Sequence, residues 1–284
     1  MIPAAFDYVR PSTVDEAIQA LAEAGDDAKV LAGGQSLLPV LKMRLAAPTV
    51  VVDIGRIPEL RGVREEGEDL VIGAMTTHYE VARDHLVAEH ASLLARATET
   101  VADPQVRHRG TFGGALAHAD PAGDLLAPAL ALGAVMVVAG PSGRREVPAA
   151  EFFVDYFTSA LAADEVLVAV RIPKHTGWLS HYEKFNRVAQ AWSIVAVGVS
   201  LSVSGGTIAD ARVGLTNMAS VPVRAAGVEQ ALIGQPAGAD VLRAAAERAA
   251  EDTSPIADGN GDAAYRGQLA RVLTGRALTL AVGG

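Results

Sequence analysis

Two adjacent-glycine pairs constrain this chain more than any other stretch. The first lies in Lys29-Val30-Leu31-Ala32-Gly33-Gly34-Gln35-Ser36-Leu37. The second lies in Arg109-Gly110-Thr111-Phe112-Gly113-Gly114-Ala115 and runs on to Ala119-Asp120-Pro121-Ala122-Gly123-Asp124. A residue without Cβ reaches positive φ easily, so successive backbone N–H groups can converge on one concavity. Such a nest suits an anion, above all a phosphate. Ser36 and Thr111 each offer a further hydroxyl donor. A dinucleotide diphosphate would fit between two such turns. Taken singly, each pair reads equally well as an ordinary tight turn.

The surrounding pattern places both pairs in an α+β chain. Phe6 to Pro11 reads as extended. Ser12 or Thr13 can cap the next helix, with Glu16 completing a capping box. Ala17, Ile18, Ala20, Leu21 and Ala24 form its apolar face, and Gly25 stops it. Residues 29–32 read as a strand and 49–54 as another, with a helix through 40–45 between them. The order Gly-Gly-x-Ser is not Gly-x-Gly-x-x-Gly, so this βαβ unit is not read as a Rossmann fold. From Gly62 the style changes to hairpins, at 62–73 and 135–148. A helix starts at Thr76 or Thr77, a second spans about 92–101, and a third begins after Asp124. Residues 166–173 form a strong strand. Lys174 to Trp178, just after Pro173, mix Gly and polar residues between two strand-like regions and read as a boundary. Beyond it, residues 182–185, 194–203 and 208–215 read as three antiparallel strands. Helices over 223–232, 239–250 and 263–280 follow.

The words Ala32-Gly33-Gly34-Gln35-Ser36-Leu37, Thr111-Phe112-Gly113-Gly114 and Asp120-Pro121 followed by Asp124 carry a family likeness. They resemble the FAD-binding medium subunit of the molybdenum hydroxylases, the group that includes aerobic carbon monoxide dehydrogenase and xanthine dehydrogenase. Gly214-Leu215-Thr216-Asn217-Met218, Pro222-Val223-Arg224-Ala225 and Tyr265 to Arg271 extend the likeness over nearly the whole chain. The resemblance implies an FAD-binding domain over 1–177, with subdomains of about 1–60 and 61–177. It implies a C-terminal domain over 178–284, a three-stranded sheet with a helical bundle. It also implies that Ala32, Gly33, Gly34, Gln35, Ser36, Leu37, Thr111, Gly113 and Gly114 touch the FAD diphosphate and adjoining ribityl chain. Asp124 would accept from ribityl or ribose hydroxyls. Asp120 would do the same or cap the following helix. An Asn often follows the second pair in the family, whereas this chain has Ala115; His118 could supply the missing polar contact. Ala102 and Leu167 would be apolar walls, a role that ordinary core residues also satisfy. Lys184 would approach the flavin ring, where a positive charge near the pyrimidine end stabilises anionic reduced flavin.

Other features restrict the function. The formal net charge is −9, which argues against a nucleic-acid or anionic-membrane surface. No basic segment followed by an apolar run opens the chain, so no signal peptide is read there. The apolar stretch 125–138 contains Pro128 and Gly133 and falls short of a span. Cysteine is absent, so any iron–sulfur cluster must be ligated elsewhere. The seven histidines include no His-x-x-x-His pattern, and no metal site is assigned to them. Arg107 and Arg109 could bind phosphate, face a partner or simply be solvated. No nucleophile and base stand together, so no catalytic residue is assigned; the chemistry would belong to a bound flavin.

By resemblance, a small subunit carries iron–sulfur clusters and a large one the molybdenum cofactor, the whole forming a dimer of heterotrimers. Electrons would leave through this chain to a quinone or other acceptor. The expected location is cytoplasmic, with at most peripheral membrane contact made through partners. The carbon monoxide dehydrogenase type is favoured over the xanthine and aldehyde types. A stand-alone FAD oxidoreductase and a non-catalytic nucleotide-binding protein are the rival readings.

Overall fold

The computed structural model describes residues 2–283. Three hydrophobic cores organise it. The first layer contains β1 (Asp7–Val9), α1 (Val14–Ala24), β2 (Ala28–Leu31), α2 (Leu37–Lys42) and β3 (Val50–Asp53). Thr13 caps α1 by accepting from the Glu16 N–H. The Glu16 carboxylate turns back to the Ser12 N–H and hydroxyl, at 2.7 and 2.8 Å. Val14, Ala17, Ile18 and Leu21 then form one buried stripe. The sheet order is β1-β3-β2, and both pairings are parallel.

The second layer holds β4 (Val63–Glu66), β5 (Asp69–Gly73), α3 (His78–Arg83), α4 (His85–His90), α5 (Ser92–Glu99), α6 (Pro104–Arg107), α7 (Phe112–His118) and α8 (Leu126–Ala131). It continues through β6 (Val135–Gly140), β7 (Gly143–Pro148), α9 (Ala149–Phe152), β8 (Phe153–Asp155), β9 (Thr158–Ser159) and β10 (Val166–Pro173). The antiparallel sheet β4-β5-β10-β6-β7 has β10 at its centre. Val166 and Val168 join the core of the first layer, whereas Leu167, Val170 and Ile172 join that of the second. Burial on both faces explains the unbroken apolar run of this strand.

The third part comprises β11 (Leu179–Phe185), β12 (Val195–Ser204), β13 (Thr207–Thr216), β14 (Val223–Arg224), α10 (Ala226–Leu232), α11 (Ala239–Ala246) and α12 (Ala263–Gly283). The three expected strands are antiparallel, and the two-residue β14 joins them as a fourth. The helix expected over 223–232 therefore begins only at Ala226. α10 to α12 share a core with this sheet. On the sheet, Gly198 of β12 pairs with Gly214 of β13. A Cβ on Gly214 would lie 2.5 Å from the Ala127 carbonyl oxygen, and one on Gly198 would lie 3.1 Å from Leu93 Cδ1. The glycine pair thus makes room for α5 and α8 of the second layer. Among the described residues no helix is long and apolar enough to cross a membrane.

The first glycine pair lies between β2 and α2, as expected. α2 begins at Leu37, earlier than the expected 40. The second pair does not form a left-handed turn. Gly113 and Gly114 are helical residues in the first turn of α7, and Thr111 caps that helix by accepting from the Gly114 N–H. Within the two pairs only Gly34 has positive φ, +77°. Glycine is required at the other three positions by close packing.

Candidate functional site

The two glycine segments touch. A Cβ on Gly33 would lie 2.2 Å from the Arg109 carbonyl oxygen and 2.8 Å from Gly110 Cα. One on Gly114 would lie 2.6 Å from Thr111 Oγ1 and 3.2 Å from Ala32 Cβ. One on Gly113 would lie 2.4 Å from Ala74 Cβ. The β2–α2 turn, the entry to α7 and the end of β5 are therefore in backbone contact.

The N–H groups divide unequally between the segments. Among the described residues, the N–H groups of Gly33, Gly34, Gln35, Ser36 and Leu37 donate to nothing within the chain. Gly33 and Gly34 are buried, Gln35 is exposed and Ser36 and Leu37 are half-buried, so the run opens to solvent from Gln35 onward. At α7 the donors are already used. Phe112 N–H reaches the Thr76 carbonyl, Gly113 N–H the Ala74 carbonyl, and Ala115 N–H the Thr111 carbonyl. The unpartnered donors thus lie in the first segment, and α7 forms a wall against it. His78 backs this wall: its N–H donates to the Gly110 carbonyl at 2.9 Å. Its imidazole is buried with Nδ1 unpartnered. Burial, with Arg107 nearby, pushes its pKa down to about 4, so the ring is neutral at neutral pH.

α7 leads from the cradle to a second cluster. It ends at Ala119, whose φ of +50° turns the chain into Asp120. Asp120 Oδ1 accepts from the Ala122 N–H at 2.9 Å. It closes that turn and does not cap α8, whose N-cap is Leu125 without a side-chain bond. Asp124 is buried. Its Oδ2 accepts from Lys184 Nζ at 2.7 Å, and its Oδ1 from the Ser193 hydroxyl at 2.8 Å and the Tyr182 hydroxyl at 3.0 Å. Lys184 Nζ also donates to the Thr100 carbonyl at 3.2 Å. Burial raises the Asp124 pKa, while Lys184, Ser193 and Tyr182 oppose the rise. Burial holds the Tyr182 phenol well above its ordinary value, so it is a neutral donor.

The remaining sequence-derived residues distribute around these two clusters. Ala102 lies two residues after Thr100 with φ +41°, and the Arg107 guanidinium donates to the carbonyl of the preceding Val101 at 2.8 Å. Leu167 is fully within the second core, beside a register shift in β10. The His118 ring lies 5.3 Å from that of Phe157. Asp120 lines a cavity of about 550 Å³ together with Ala122, Arg187, Trp192, Asn217 and Asp258. Tyr182 and Ser193 were not singled out from the sequence. Tyr182 was accessible in principle, because it stands two residues before Lys184 on one strand and so shares its face. Ser193 carried no such signal. Among the described residues no group of three His, Asp or Glu is placed to hold a metal.

Five unpartnered N–H groups in succession have the chemistry to meet a diphosphate, and the touching segments leave no room there for a side chain. A buried lysine–carboxylate pair at the far end of α7 suits the polar part of a bound dinucleotide. The family model described as an FAD binding domain in molybdopterin dehydrogenase matches residues 4–175. That described as the CO dehydrogenase flavoprotein C-terminal domain matches residues 180–281. The chain is 43% identical to the carbon monoxide dehydrogenase medium chain of Hydrogenophaga pseudoflava, over 99% of this chain and 98% of that one. It is 39% identical to the medium chain of Afipia carboxidovorans, over 98% and 97%. A solved structure of carbon monoxide dehydrogenase from Hydrogenophaga pseudoflava superimposes with a TM-score of 0.96 at 43% identity, covering 100% of this chain and 99% of that one.

Proposed function

The chain belongs to the FAD-binding flavoprotein subunits of the molybdenum hydroxylases, and from that membership we propose that it serves a carbon monoxide dehydrogenase. In this reading the complex oxidises carbon monoxide at a molybdenum site on a large subunit. Iron–sulfur clusters on a small subunit conduct the electrons to this chain. A bound FAD supplies the two-electron carrier that passes them to a quinone or similar acceptor. The complex is a dimer of heterotrimers in the cytoplasm, reaching the inner face of the membrane through its partners.

The observation that carries the reading is the cradle of five unpartnered N–H groups against α7. Gly33 to Leu37 would bind the diphosphate. Thr111, Gly113 and Gly114 would shape the opposite wall. Asp124 and Lys184 would orient the ribityl chain and ring, with Ala102 and Leu167 as apolar neighbours and Asp120 and His118 near the tail of α7. The N-terminal and C-terminal parts, 1–177 and 178–284, would close over the cofactor as two domains. Val188 and Trp192, 65% and 55% exposed beside Ser193, would form part of the docking surface for the cluster-bearing subunit.

The test is the absorption spectrum of the co-expressed complex before and after anaerobic carbon monoxide. Bleaching of the flavin band by carbon monoxide is expected, and acid precipitation should release the FAD into the supernatant because no cysteine is present for attachment. A complex that reduces its flavin with a purine or aldehyde but not with carbon monoxide would overturn the substrate assignment.

A further inference from the structure

The network around Asp124 joins both halves of the molecule. Asp124 and Thr100 come from the first, and Tyr182, Lys184 and Ser193 from the second. Lys184 has three N–H donors, of which two are engaged within the chain. Asp124 holds three donors on two oxygens. One N–H and one carboxylate lobe therefore stay free. Ser193 is itself held in place: the Asn217 side-chain amide donates to the Ser193 carbonyl at 2.9 Å and to that of Ile194 at 3.2 Å. Arg266, 1% exposed, donates to the same Ile194 carbonyl and pairs with Asp258 at 2.8 Å. The peptide after Trp192 is thus clamped from behind, with the Ser193 hydroxyl aimed at Asp124.

We propose that Ser193 and Tyr182 are positioning residues that keep Asp124 ionised and turned onto Lys184, so that Lys184 meets the flavin as half of a neutral pair and not as a bare cation. The proposal rests on the flavin-subunit reading. Its physical basis is the cost of a buried charge. A carboxylate among apolar residues takes up a proton unless donors hold it charged. Each hydroxyl removed makes protonation easier. Once Asp124 is neutral, the full charge of Lys184 is felt by the ring. The charged or titratable groups facing Asp124 are Lys184 and Tyr182, both on β11. Ser193 adds a hydroxyl from the segment just before β12, Thr216 of β13 places a buried hydroxyl beside Tyr182, and Thr100 adds a carbonyl that meets Lys184.

The test uses the FAD-loaded complex and variants Ser193→Ala, Tyr182→Phe, Ser193→Thr and Asp124→Asn. The flavin midpoint potential is measured against pH, and infrared difference spectra against Asp124→Asn follow the carboxyl band in the same complex stripped of FAD. Asp124→Asn should shift the potential positive at every pH. Ser193→Ala and Tyr182→Phe should match the parent at high pH and turn positive as pH falls, with a protonated carboxyl band appearing over the same range. Ser193→Thr should restore the parent profile. Parent-like profiles in both hydroxyl-deletion variants, or an unchanged potential in Asp124→Asn, would overturn the proposal. Should Tyr182→Phe not fold, Ser193→Ala decides alone. A parent protein that takes up no FAD would instead sink the flavin-site reading, and the infrared titration would still decide how Asp124 is held.

Discussion

Gly33 illustrates how a single missing Cβ can organise a site. Its φ is ordinary, so its requirement is purely steric: the Arg109 carbonyl oxygen occupies the space a side chain would take. Gly33→Val should part the two glycine segments, abolish flavin retention and cost about 1–3 kcal/mol of stability, the usual range for overpacking. Flavin content by absorbance and urea unfolding would check both effects, and full flavin in the purified variant would contradict the cradle. Gly34 differs, because its φ of +77° strains any side chain, and one there would also crowd Leu38. Gly34→Ala should cost about 1–2 kcal/mol through the left-handed backbone alone. His78 gives a pH signature. Its folded pKa of about 4 lies below the ordinary histidine value of 6.5. Between those values the unfolded chain binds the extra proton, so stability is complete above pH 6.5 and declines as pH falls towards 4. The full decline is on the order of 3 kcal/mol from this group. His78→Gln should flatten that part of the profile in unfolding experiments at pH 7, 5.5 and 4.5. An equal decline in the variant would assign the acid sensitivity to other groups.

At the level of elements, α7 acts as a spacer. Its seven residues rise about 1.5 Å each, so they separate the cradle from the Asp120 turn by roughly 10 Å. Thr111 starts this helix, and the glycines after it belong to the helix because Ala74 and Ala32 press against them. By local propensity Gly113-Gly114 reads as a turn, since glycine is a poor helix former; the partners that reverse this preference, Ala74 and Ala32, are distant in sequence. The sheet β11-β12-β13 shows the same logic. Gly198 and Gly214 flatten one patch of it so that α5 and α8 can approach. Gly214→Ala should push α8 away and lower stability by about 1–3 kcal/mol. Because α8 follows directly from Asp124, flavin affinity should fall with it. A variant with parent stability and parent flavin affinity would show that the sheet and α8 can shift freely.

For the whole molecule, the sequence offers a dinucleotide cradle without cluster ligands and without an acid–base pair for a substrate. The isolated chain should therefore bind FAD weakly or aggregate, and show no flavin reduction by carbon monoxide. Co-expression with the cluster-bearing and molybdenum subunits should restore it, as followed by anaerobic spectroscopy; useful oxidation of carbon monoxide by the chain alone would refute its role as a subunit. Local pattern alone determined the α+β class, the βαβ unit, the hairpins and most strands, since these depend on periodicity and on residues close in sequence. It also picked out Gly33, Gly34 and Asp124 through short words shared with a family, and Lys184 through the wider resemblance. Only the tertiary structure decided that Asp124 and Lys184, 60 positions apart, meet each other, and that Tyr182 and Ser193 complete their shell. It also decided that the open N–H groups belong to the first glycine segment and not to the second. These outcomes depend on which backbone donors the fold consumes elsewhere and on contacts between distant strands and helices, and neither quantity is written in any local stretch of sequence.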